Sequence, residues 1–194
     1  YVAIWGAFAL AALWMTRRQP DPVTLWAWRL SGGLALATAL VIQVLIANPV
    51  FEPAHIGRLP IANGLLLAYA VPAAMAALAR RWIDVEPHRG VDLLAEAAAS
   101  ILAFVYVSLE VRHLFDPGFD RPGFAADGLE LYAYSAAWLL FGIALLTLGF
   151  VRGAMALRHA GMVLVCIVVA KVFMVDMAGL TGLLRVFSFL GLGV

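Results

Sequence analysis

The chain has 194 residues, of which 64% are hydrophobic and only 13% charged, and its mean hydropathy is +0.96, whereas soluble domains carry about 25% charged residues. Too few polar side chains remain to cover a globule of this size in water, which excludes a soluble fold. The net charge of +1 comes from arginines grouped at segment ends, with no basic stripe suited to nucleic acid.

Apolar runs punctuated by charged or Pro/Gly-rich residues predict about seven helical segments: 1–16, 24–47, 60–79, 92–114, 129–151, 158–176 and 182–194. A spanning helix needs about 20 apolar residues, so the first and last segments read as truncated. Helices are expected because a segment in lipid must satisfy its own backbone hydrogen bonds. The predicted fold class is all-α, a polytopic transmembrane helix bundle forming one domain over residues 1–194. The chain opens on Tyr1 and stops on Val194, both within apolar runs. It therefore reads as a fragment of a longer polytopic protein, whose remaining helices would be its partners together with membrane lipid.

In the third segment Pro72 predicts a kink. The fourth places Asp92, Glu96, Ala99, Ala103, Tyr106, Glu110 and His113 at alternating steps of three and four, which is one helix face. Ionisable groups facing lipid are costly, so this stripe should point into the bundle, although Asp92 and Glu96 could equally meet water at the membrane surface. Glu110 and His113 share a face while Arg112 projects elsewhere. The connection 115–128 holds the near-duplicate stretches DPGFD and RPGFA, each with Pro-Gly where a turn is favoured, and should form a compact cap.

In the fifth segment Glu130 and Tyr134 share a face that Trp138 continues inward. Gly149 and Gly153 have the small-xxx-small spacing of close helix approach, a motif that is common by chance. In the sixth, the single cysteine, Cys166, sits in an apolar run and cannot form an internal disulfide. Lys171 and Asp176 are five residues apart, not a standard helix pair, so their partners are expected on other helices. Arg185 and Ser188 open the seventh segment at i, i+3.

Arg17 and Arg18, then Arg80, Arg81 and Arg89, then Arg152 and Arg158 mark every second connection. Positive loops stay in the cytoplasm, which places the N-terminal end of the fragment outside and its C-terminal end inside. Glu110, Arg112, His113, Glu130, Tyr134, Lys171, Asp176 and Arg185 then fall in the outer part of the bundle and form a candidate polar pocket. One reading is a salt-bridge lattice locking helix ends. The other is a functional site, which requires that some member lack a full set of protein partners.

The string LRHAGMVLVCIVVAKVFMVDMAGLTGLLRVFSFLGLG, with SLEVRHLF and ELYAYSAAWLL upstream, resembles the closing signature of the DUF2339 family of predicted bacterial membrane proteins. The earlier IGRLPIANGLLLAYAVPA is similar more loosely. The resemblance implies a long polytopic protein of the bacterial cell (inner) membrane and carries over no catalytic residue.

No nucleophile elbow, HExxH pair or phosphate-binding loop occurs, no histidine spacing supports a metal site, and no cofactor is implied. The function expected is a transporter or structural component of the bacterial envelope with an outward-facing pocket. The rival is an intramembrane enzyme acting on a lipid-linked substrate, with Glu110 or His113 as acid or base and Lys171, Arg112 or Arg185 holding an anionic group.

Overall fold

The structure is a computed structural model that describes residues 1–51, 56–57, 59–83, 89–121, 126 and 128–176; no strand occurs among them. The chain divides into two compact units, Tyr1–Ala125 and Ala126–Val194.

The first unit begins with α1 (Val2–Arg18), whose last turn carries Arg17 and Arg18 against the negative end of the helix dipole. Pro20 ends it, because the residue before a proline is pushed out of the helical region, and Gln19 is extended at φ −139°. Pro22 at the first turn restarts the chain as α2, which is α-helical over Pro22–Ala37 and π-helical over Thr38–Ile46. Helix α3 starts with a π-helical turn, Leu66–Ala70, and continues as α-helix over Val71–Trp82. Pro72, where a kink is expected, follows a turn in which the Val71 N–H reaches back five residues to the Leu66 carbonyl. Helix α4 spans Arg89–Phe115. Helix α1 packs on α2 and α3, and α3 packs on α4. Leu13, Trp28, Ile83 and Ala95 form one core, and Leu65, Tyr69, Leu102, Leu109 and Phe119 another.

The second unit is a hairpin of α5 (Leu129–Val151) and α6, which is α-helical over Met155–Lys171 and π-helical over Val172–Asp176. Its helices approach through glycine. A Cβ on Gly161 would lie 2.8 Å from both the Gly142 carbonyl oxygen and the Leu146 nitrogen, and one on Gly149 would lie 2.8 Å from the Arg158 nitrogen. The Gly149/Gly153 spacing therefore splits into two roles. Gly149 permits close approach, whereas Gly153, at φ +66° in open space, makes the turn.

The expected count of about seven segments is not confirmed, because the last of them falls beyond the described residues. Six helices are described, and four of them are long and apolar enough to cross a membrane: Pro22–Ile46, Gly90–Phe115, Leu129–Val151 and Met155–Asp176. The 17-residue α1 is about 26 Å long at 1.5 Å per residue, short of a hydrocarbon core of about 30 Å. The third is shortened because residues 60–63 precede the helix, and it ends on Arg80 and Arg81. The segment 182–194 lies outside the described residues.

Candidate functional site

The polar face of α4 is at least half-buried at every one of its positions from Asp92 to His113. At its far end it holds Gly57, Ile61 and Asn63, which precede α3. Glu110 accepts from the Asn63 side-chain amide at 2.8 Å and from the Ile61 backbone N–H at 3.3 Å. The Tyr106 hydroxyl donates to the Ile61 carbonyl at 3.3 Å. Asn63 turns its other end to the start of α3, accepting the N–H groups of Leu65 and Leu66 as a helix cap. Ile61 needs such a grip: it is β-branched yet sits at φ +68°, a left-handed conformation that costs of order 1–3 kcal/mol.

His113 closes the same clamp, its Nε2 lying 2.8 Å from the Gly57 carbonyl oxygen. A carbonyl can only accept, so Nε2 carries the hydrogen and, in the neutral ring, Nδ1 is left as an acceptor. That Nδ1 is buried and has no hydrogen-bond partner. The ring is only 2% exposed and stacks on Phe119 at 6.3 Å between centroids.

Beyond α4 the chain folds back around Asp116. Its carboxylate accepts the backbone N–H groups of Asp120 at 3.2 Å and Arg121 at 3.0 Å, and pairs with Arg112 at 3.5 Å and Arg121 at 3.4 Å. The buried Arg112 also donates to the Arg121 carbonyl at 2.6 Å. DPGFD therefore forms the compact turn expected of it, while most of RPGFA lies outside the described residues. Burial pushes the Asp116 carboxyl up, but the backbone donors of Arg121 and Asp120, followed by the charges of Arg112 and Arg121, outweigh it and hold the group below its ordinary value.

A carboxyl depressed in the folded state stabilises above its unfolded pKa of about 3.9, and that contribution is lost as pH falls through the lower folded value. Asp116→Asn should thus lower stability by about 1–3 kcal/mol at neutral pH, with the gap from wild type closing below about pH 4. Thermal unfolding of the full-length protein in detergent across this range checks it. A gap independent of pH would overturn it.

In the second unit Lys171 and Asp176 do pair, Nζ to Oδ1 at 2.7 Å, which corrects the expectation drawn from their spacing. The reason is the π-helical turn Val172–Asp176: bonds running from i to i+5 bring residues five apart together, as an α-helix does not. A partner on another helix is present as well. Lys171 donates to the Ser135 hydroxyl at 2.6 Å and the Leu131 carbonyl at 3.2 Å, both on α5. Ser135 in turn donates to Asp176 at 2.5 Å. All three ammonium hydrogens therefore have acceptors. Glu130 is 2% exposed, and Tyr134 meets Trp138 edge-on at 6.0 Å.

The candidate pocket draws on both units and on Arg185, which with Ser188 lies outside the described residues. Within the first unit, Glu110 and His113 meet on one clamp while Arg112 turns to the cap. Within the second, Lys171 and Asp176 form a closed network. Sequence reasoning missed Asn63 and Ser135. Asn63 carried a usable signal, an Asn just before an apolar helical run. Ser135 carried none, since serine is common on helices and its importance comes from what lies across the hairpin.

Burial in this molecule is inverted relative to a protein in water. Arg112, His113, Asp116, Glu130 and Asp176 are buried, whereas Ile4, Leu140, Phe150, Val151 and Met174 are each more than two-thirds exposed. Helices with apolar exteriors and charged interiors define a polytopic helical membrane protein. The family model described as "Predicted membrane protein (DUF2339)" matches residues 1–194, so the chain belongs to that family along its whole length and not only in its C-terminal half. Neither a curated protein nor a solved structure gives a match.

Proposed function

We propose that this chain is the membrane-embedded part of a transporter of the bacterial inner membrane, acting as one domain, with an outward-facing polar site at Glu110 and His113. The observation that carries this is the buried, unpartnered Nδ1 of His113 on the clamp that grips Gly57, Ile61 and Asn63. A proton or a small polar donor reaching Nδ1 would change the charge or bonding of that clamp, and a strained segment is suited to respond. The half-buried polar face running from Asp92 to His113 supports a path along α4. Lys171 and Asp176, with every ammonium hydrogen accepted, act as a lock between α5 and α6.

The intramembrane-enzyme reading also draws on the spare nitrogen of His113. It fits less well, because a general base must reach its substrate and the His113 ring is almost wholly enclosed. The test is rescue of a deletion strain by full-length protein altered at Glu110 or His113. Full rescue by variants at both positions removes the site. Orientation has its own check: cysteines at Arg81 and Arg152 should react only with cytoplasmic reagents and one at Asp120 only with external reagents. Reversed labelling overturns the outward-facing assignment.

A further inference from the structure

We propose that the first unit holds one anionic phospholipid of the bilayer, with an acyl chain in the cavity between α1, α2, α3 and α4 and its phosphate at Arg29. This site lies at the opposite end of α4 from Glu110 and His113, and it rests only on the protein being embedded in lipid.

The cavity measures about 330 Å³ and is walled almost entirely by apolar side chains and glycine, among them Leu10, Leu13, Leu36, Met75 and Leu102. An apolar cavity of about 150 Å³ stays dry and accepts benzene, so one about twice that size suits an alkyl segment and not water. The cavity reaches the surface at Gly33 and at Leu94, which both line it and are exposed, and a Cβ at Gly33 would meet open space with no atom within 4 Å; Gly33 is taken as the mouth. For a membrane protein the medium at an exposed position of this kind is acyl chain.

Charge and depth select the rest of the ligand. Arg29 lines the same cavity one helical turn from Gly33, on the side nearer the start of α2. Its guanidinium lies 5.2 Å from the Trp26 ring centroid, and Arg18 lies 4.0 Å from that of Trp14 at the end of α1. Tryptophan beside arginine marks the headgroup level of a bilayer. A lipid entering at Gly33 therefore brings its phosphate to the depth of Arg29. Trp28, in the same wall and buried, has an indole N–H without an acceptor. Ester carbonyls, one step below the phosphate, are the acceptors a lipid offers at that depth.

The experiment is native mass spectrometry of the full-length protein, delipidated in detergent and titrated with phosphatidylglycerol or with phosphatidylcholine of the same chains. Wild type should retain one phosphatidylglycerol per chain and bind it at least tenfold more tightly than phosphatidylcholine. Gly33→Leu, which fills the mouth without meeting another atom at its Cβ, should weaken both lipids about tenfold. Arg29→Gln should abolish the preference between them while leaving phosphatidylcholine unchanged; it also decides the matter if Gly33→Leu does not accumulate. Equal binding by wild type and Gly33→Leu, or no headgroup preference in wild type, overturns the proposal. So does a disulfide from Gly33→Cys to a cysteine in another part of the full-length chain, since the occupant is then protein.

Discussion

Replacing Lys171 with methionine should lower the stability of the full-length protein by about 3–5 kcal/mol, the penalty for stranding a buried partner charge. Asp176 is 2% exposed at its side chain, and Lys171 is the cation that pairs with it at 2.7 Å. Methionine fills much the same volume, so lost packing contributes little and the loss measures the uncompensated carboxylate. Ser135 still donates one hydrogen bond to the carboxylate, which limits the damage. The double variant Lys171→Met/Asp176→Leu removes both charges and should recover most of the loss, because an apolar pair of similar volume is often no worse than a buried ion pair. Thermal unfolding in detergent compares the three proteins. Equal stability of wild type and Lys171→Met would show that the pair does not hold the hairpin.

Composition and arginine placement made the membrane class and the helix order legible, because lipid imposes length and charge rules that act residue by residue. What escaped depends on departures from the α-helical period. Lys171 and Asp176 look unpaired at 3.6 residues per turn and pair only because the last turn of α6 widens. The third segment looks like a span because residues 61–79 contain no charge, yet residues 61–63 are spent reaching Glu110 and capping α3. Glu110 and His113 are visible in the sequence as one face, but their partners, 47 to 56 residues away, are not. Periodicity describes one helix at a time, and a clamp requires knowing what returns to it.

The largest functional effect is expected at His113, where the two ring nitrogens can be separated by substitution. Glutamine places its amide nitrogen near the position of Nε2 and can keep donating to the Gly57 carbonyl while offering nothing at Nδ1. Asparagine puts an amide atom near Nδ1 and loses the reach to Gly57. If His113 serves only to hold the Gly57 carbonyl, His113→Gln should behave as wild type, and His113→Asn should lose about 1–3 kcal/mol for the unpaired carbonyl. If Nδ1 is the working group, His113→Gln should accumulate and unfold like wild type yet fail to rescue a deletion strain. Glu110→Gln supplies the control for the clamp itself. Its amide puts an NH2 where one of the two accepting oxygens stands, so either Asn63 or Ile61 faces a donor in place of an acceptor and the clamp on the Ile61 turn loosens whichever reading holds. A protein in which His113→Gln rescues fully leaves the clamp as structure, and the outward-facing site must then be sought elsewhere.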